Sequence, residues 1–319
     1  MPHPDLNAPV SRRRALAIGG GVAGGLLAAS PATGIAAAHG HQSQQGRLPA
    51  RQIQEIVQAE GTVTNGVLSI GISRDDIGDV KGPLGVTFTP AFEVDGALTF
   101  QPLGSHRAFF NGDLALKAEE TNPFIDAILA NGLVFQAFHQ HYDQMDPQIW
   151  FIHWRGTGEP LHLARAVRNV LRATSTPLPQ TMPPNPTTPL DAKRLGRILH
   201  GTPEIGDEGV VSVTVDRTDR ILIDGIRVSP EANISSTIEI KPLDASGRTA
   251  AVAPDFSMTS VGVQPVISVM RRQGFEVGCL YNQETGERPQ LYFAHMLKTG
   301  DPYALAAQVR RGLDRTEVA

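Results

Sequence analysis

The chain is written twice, and no other feature constrains its fold as much. Displacing the sequence by 142 positions lays Gly132 on Gly274, Pro147-Gln148 on Pro289-Gln290, Phe151 on Phe293 and His153 on His295. The match continues without a gap to Leu171 on Leu313, with 13 identities in the 40 pairs from 132 to 171. Upstream, the same offset pairs Asp113 with Asp255 and Pro123 with Pro265. Small gaps then bring GVLSIGISRDD (66–76) onto GVVSVTVDRTD (209–219), and QPL at 101 onto KPL at 241. Two copies of one folding unit follow. They span 48–172 and 190–314, and between them residues 173–189 carry the stretch TSTPLPQTMPPNPTTP, whose prolines exclude helix and sheet and favour an extended connector.

Each copy has the same coarse plan. A short helix with Ile53, Ile56 and Val57 on its apolar side leads into strands rich in Val, Ile and Thr, of which 67–73 and 210–215 alternate most clearly. A strand ending near Asp113 precedes a helix opened by Asn122-Pro123, with Phe124, Ile128 and Leu129 apolar. Two strands follow, and a last helix starts at Thr157-Gly158-Glu159-Pro160 with Leu163, Val167, Val170 and Leu171 at core spacing. Strand, helix, strand, strand, helix is met most economically by an antiparallel sheet covered by helices. The expected class is α+β, as two tandem repeats.

The two strands before the last helix hold the chemistry. The stretch GLVFQAFHQHYDQMDPQIWFIHWRG (132–156) reads as a β-hairpin with His139 and His141 on one strand and His153 on the other. Residues two apart on a strand point the same way, so His139 and His141 share a face. His153 joins them only if opposed residues have numbers with an even sum, because a shift of one residue puts it on the other side. Three neutral imidazoles leave an open position on zinc, and copper suits imidazole equally, so His139, His141 and His153 are candidate ligands for a divalent metal, zinc or copper. Hydrogen-bonded histidines without metal, or histidines in acid–base or ligand-binding roles, fit the same spacing.

The second copy serves as an internal control. His153 is kept there as His295, whereas His139 and His141 become Tyr281 and Gln283, so a metal at this hairpin is expected in the first copy only. Asp113 is a further candidate, as a ligand or as a carboxylate orienting an imidazole. Asp255 matches it in the copy that lacks two histidines, which favours a scaffold role. Asp143, close behind His141, is a candidate for the orienting role, although loop aspartates commonly just make turns. Glu93 and His106 lie in loop-like sequence and are weak candidates; His162 and His200 read as solvated or structural. Cys279, the only cysteine, replaces Ala137 and reads as a small packed hydrophobe.

The N-terminus has a different character. Ser11-Arg12-Arg13-Arg14 precedes a Gly/Ala-rich apolar run, and Ala36-Ala37-Ala38 offers a cleavage site, so residues 1–38 read as an export signal of twin-arginine type. Cleavage after Ala38 would expose His39-Gly40-His41, a sequence able to hold Cu(II) or Ni(II). The formal net charge is −4 and becomes more negative without the leader, which argues against a nucleic-acid partner. No later segment is apolar enough over enough residues to span a bilayer, and a single cysteine allows no internal disulfide.

PLG (102–104), GDLAL (112–116), Asn122-Pro123, the His139/His141 pair, and Pro147 followed by His153 and Gly158 resemble the LppY/LpqO family, exported bacterial proteins built around a domain of unknown function. The resemblance covers most of the mature chain and implies no established reaction. Gln140 stands where family members usually carry asparagine, on the side opposite the histidines. No cysteine lies near the leader, so the lipoprotein location of some relatives does not carry over, and the expected location is secreted, periplasmic or cell-wall.

Two functions follow as expectations. One is a metal-dependent protein, with hydrolysis as the chemistry of an open site. The other is a non-enzymatic binding module with a cleft between the copies for a small-molecule or polymer ligand, in which Trp150 and Trp154 would face the ligand unless they are core.

Overall fold

The computed structural model describes residues 48–318 except 105, 183 and 184. The leader (1–38) and His39-Gly40-His41 lie outside the described residues.

Each copy folds into a six-stranded antiparallel sheet with helices, as the pattern of alternation predicts. Across the first sheet the order is Thr62–Thr64, Val67–Ser73, Asp95–Gly104, Arg107–Lys117, Ile149–Gly158, Val134–His139. The second sheet repeats it with Thr202–Ile205, Val211–Val215, Ser236–Pro242, Ala250–Thr259, Leu291–Gly300 and Glu276–Val277. One difference from the sequence reading is instructive. The strand expected to end near Asp113 runs on to Lys117, because Leu114, Ala115 and Leu116 continue to fill buried positions on both faces, leaving Asp113 at mid-strand.

Parity organises the packing. On Arg107–Lys117 the even residues Ala108, Phe110, Leu114 and Leu116 pack under the helices Ala50–Val57, Thr121–Ala130 and Pro160–Leu171. Phe110, Phe124 and Trp154 form an aromatic knot there, with ring centroids 4.9 and 5.7 Å from the indole. The helices are held at defined starts: Pro160 and Pro302 stand in the first turn, and Glu159 and Asp301 accept backbone N–H bonds as N-caps. A second core under Ala192–Leu199, Ser260–Arg272 and Pro302–Leu313 repeats the arrangement with Val252, Phe256 and Met258. From Asp113 onward the offset of 142 is even, so parity is the same in both copies there; on Val67–Ser73 the offset is 143, and Leu68, Ile70 and Ile72 are matched by Val211, Val213 and Val215.

The odd residues face the other sheet. One apolar seam joins Ala115, Tyr142 and Phe151 to Ala251, Ala253 and Leu297; another joins Phe109 to Ile221, Leu291 and Phe293. Tyr142 donates its hydroxyl across the seam to the Met296 carbonyl at 3.1 Å. At Gly278 the second copy's backbone comes so close to the His141 carbonyl and the Tyr142 ring that a Cβ would collide with both. The molecule is therefore helices, sheet, sheet, helices, with polar residues between the two seams.

The proline-rich connector is pinned at Gln180. Its backbone N–H donates to the Gln58 carbonyl at 2.9 Å, and its side chain exchanges hydrogen bonds with the Ser73 backbone at 2.8 and 2.9 Å. Among the described residues no helix is long and apolar enough to cross a membrane.

Candidate metal centre between the sheets

The hairpin register is set by a bulge. Val134 opposes Arg155 and Phe135 opposes Trp154, an odd-sum register that would turn His139 away from His153. The ladder slips between Phe135 and Ala137, after which Ala137 opposes His153 and His139 opposes Phe151. The sum is then even, and His139, His141 and His153 all reach the space between the sheets. Gln136, the extra residue, is buried and donates to the Asn111 side-chain oxygen at 3.1 Å.

Opposite them stand groups from the second copy. Asp255 directly opposes His295 across neighbouring strands, as Asp113 opposes His153 in the first copy. His141 lies sandwiched between Phe151 and His295, at centroid separations of 3.4 and 3.6 Å. Tyr281 stacks on His139 at 3.6 Å. The three hairpin histidines thus divide into two groups. His139 and His153 bring their Nε2 atoms to 2.9 Å. His141 instead joins Glu93, whose Oε2 lies 2.8 Å from its Nδ1 and 3.9 Å from Nδ1 of His295. Glu93, His141 and His295 are all buried, and each offers a ligand atom within 4.8 Å of the others.

Glu93 gets there through a turn. Its φ of 69° lies in the left-handed region, which non-glycine residues seldom adopt, and its N–H donates to Glu239 Oε2 at 3.2 Å. In the offset of 140 that lays QPL (101) on KPL (241), the repeat pairs Glu93 with Asn233, also left-handed at φ 64°. Both reach across to the other copy: Asn233 donates to Asp113 Oδ1 at 3.2 Å.

The remaining candidates fall elsewhere. Asp143 is exposed, and the carboxylate hydrogen-bonded to His141 is Glu93. His106, His162 and His200 are exposed, His200 as the left-handed C-cap of Ala192–Leu199. Trp154 is fully buried under the helices and Trp150 stacks on Phe138, both even-numbered and turned from the cleft, so neither lines it. Cys279 stands beside the site, its thiol pushed up by burial. The groups that sequence reasoning underrated are Glu93, His295 and Asp255. The signal for Glu93 was its presence in one copy only, the same signal that marked His139 and His141. The presence of Asp113 and Asp255 in both copies reads as scaffold, whereas the facing of the sheets makes each Asp–His pair part of the frame of the site.

Electrostatics make this cluster unusual. Burial pushes Asp113 up to about 7, with the Asp95 charge adding to it, and Asp255 up to about 8, with Asp113 adding. Glu239 is raised to about 8 and Asp95 to about 6, again chiefly by burial. Glu93 is held well above the carboxylate range by burial and then by Glu239, Asp95 and Asp255. Burial also lowers His139 to about 4 and holds His141, His153 and His295 well below the usual imidazole value, with neighbouring imidazoles adding. Asp255 Oδ1 is buried without a hydrogen-bond partner. So many desolvated acids and imidazoles in one place are unfavourable unless they are paired, and a divalent cation is a group that both sets can share. The donor set of two imidazoles and a carboxylate fits such a cation.

Fold and site together define a duplicated α+β protein with a buried Glu/His/His group between its two sheets. The chain belongs to the family described as Domain of Unknown Function (DUF1259), which matches it twice, over residues 51–173 and 193–315. No curated protein matches. Among solved structures, the trimeric bacterial microcompartment shell protein PduB is 10% identical, with 81% of this chain and 95% of that chain covered at a TM-score of 0.21. EtuB from Clostridium kluyveri is 11% identical, with 81% and 91% covered at 0.19. Likenesses this remote carry no argument about function.

The pKa shifts predict how stability depends on pH in protein stripped by a chelator. Asp113, Asp255 and Glu239 keep their protons to about pH 7–8 when folded but release them near pH 4 when unfolded, so the folded state binds more protons and stability falls as pH rises through that window. The imidazoles act in the opposite sense. Their folded values lie below about 6.5, so stability falls as pH drops from there through about 4. Below about pH 6.5 the two sets oppose each other, and above it only the acids act, so thermal melts should lose stability steadily from about pH 6.5 to 8. Zinc at 100 times its Kd should add about 2.7 kcal/mol and reduce the alkaline loss. An unchanged melting temperature from pH 5 to 8, with and without zinc, would contradict the assignment.

Proposed function

We propose that this protein is an exported metalloprotein in which one divalent cation, zinc in our reading, is held by Glu93, His141 and His295. The supporting observation is that Glu93 Oε2 lies 2.8 Å from His141 and 3.9 Å from His295, all buried, with residues of both copies contributing. Two histidines and a glutamate form a ligand set of zinc hydrolytic sites, whereas a carboxylate in the set makes copper the less suited of the two metals. Bound there, the cation would supply a polarising charge and lower the pKa of water, the chemistry of metal-assisted hydrolysis.

The chain's own residues support that chemistry. Asp255, 3.7 Å from His295 Nε2, keeps 21% of its side chain exposed, so it is placed to exchange protons with a molecule in the cleft. Tyr281, its hydroxyl 3.5 Å from the same nitrogen, holds the ring in place. We further propose membership of the LppY/LpqO group and twin-arginine export of residues 1–38. Folded cargo suits that route, because a cation can be inserted before export.

Elemental analysis of tag-free protein should find about one zinc per chain, falling below about 0.2 in a Glu93→Gln/His295→Gln double variant that keeps its circular dichroism. Equal substoichiometric metal in both proteins, or copper in place of zinc, contradicts the reading. For the leader, replacing Arg12 and Arg13 by lysine should leave the precursor inside the cell, and undiminished export would remove the twin-arginine assignment.

A further inference from the structure

The geometry points to a second cation site beside the first, on His139 and His153, with Asp113 as the adjoining carboxylate. It rests on the reading of Glu93, His141 and His295 as the first site and extends it to a pair of cations.

The two Nε2 atoms face each other at 2.9 Å. Nitrogens that bind one ion at about 2.0–2.1 Å stand about 2.9–3.4 Å apart when their directions differ by a right angle to a tetrahedral angle. The rings are 18° from parallel planes with centroids 5.1 Å apart, so the two nitrogens meet head-on as a hydrogen-bonded pair, and tilting the rings toward the cleft opens that contact to an ion offset from the line between them. His139 is also set for ligation by its other nitrogen. Its Nδ1 lies 3.3 Å from the Gln140 carbonyl, so that nitrogen carries the proton and Nε2 keeps its lone pair for the cleft. Stacking against Tyr281 on one side of the ring, and the strand beneath, fix its orientation.

The repeat supplies an independent reason. Each copy contributes one opposed pair, Asp113 with His153 and Asp255 with His295. The first-copy hairpin then gives one imidazole to each pair: His139 goes to His153 and His141 to His295. Each half of the cleft so acquires two imidazoles beside an aspartate. The halves differ at the position after the turn, where Glu93 completes the first site and Asn233 occupies the second. Asn233 and the Ala97 N–H, at 3.2 and 3.0 Å, bond the same oxygen of Asp113, and no hydrogen bond among the described residues engages its other oxygen. With a neutral amide in place of a carboxylate, the second site has less negative charge and binds its cation more weakly. Ring centroids of His139 and His141 are 5.3 Å apart and those of His139 and His295 6.1 Å, so the two ions are near neighbours.

Cobalt(II) titration of the chelator-treated full chain, followed by visible absorption and native mass spectrometry, tests this. Two equivalents are expected, the second weaker by tenfold or more. His139→Tyr installs the second copy's residue and should lower the count from two to one, while Glu93→Gln removes the tighter equivalent. Copper(II) loading of the unmutated chain gives a check that needs no variant: paired ions broaden or quench each other's electron paramagnetic resonance signal at the second equivalent. A single equivalent that is lost in Glu93→Gln and untouched by His139→Tyr overturns the second site and leaves the first. No bound cobalt overturns both.

Discussion

The structure depends on two sheets being pressed together along faces that are apolar at both ends and ionisable in the middle. Phe109, Leu291 and Phe293 close one end, and Ala115, Phe151, Ala251 and Leu297 the other. Between these seams His139, His141, His153 and His295 meet Glu93, Asp95, Asp113, Glu239 and Asp255. Apolar burial at the seams holds the ionisable groups in place, and their polarity keeps the middle of the interface from closing into a single apolar core. In that setting the carboxyls are raised and the imidazoles lowered for one shared reason, the scarcity of water.

Duplication explains how the cluster could be assembled from few changes. Both copies keep an Asp–His pair on neighbouring strands, so facing the copies brings two pairs into one cleft. Three positions break the symmetry: Glu93 against Asn233, His139 against Tyr281 and His141 against Gln283. All three chemically stronger ligands belong to the first copy, yet the group within 4.8 Å needs His295 from the second. The second copy thus supplies part of the site, along with the Tyr281 ring that covers His139.

Much of this was legible in the residues. The even offset of 142 preserves strand parity, so a repeat in sequence is also a repeat of faces, and the α+β class with antiparallel sheets follows from alternation and helix starts. The sharing of one side by His139 and His141 needs only the two-residue strand period. Three things were hidden. The bulge at Gln136 changes the hairpin register mid-strand, and nothing in Phe135-Gln136-Ala137 announces it. The reach of Glu93 depends on a left-handed turn at a residue type that seldom adopts one. Above all, the meeting of His141 with His295 is a contact between copies, 154 positions apart, and local pattern carries no information on which face of one sheet finds which face of the other.

The central claim is that one metal site is built by both copies. A crystal of the zinc-loaded protein, measured on both sides of the zinc absorption edge, addresses it directly. The account predicts an anomalous peak about 2.0–2.2 Å from an oxygen of Glu93 and from one nitrogen each of His141 and His295. A peak bound only by residues of the first copy, or no peak between the sheets, would contradict it.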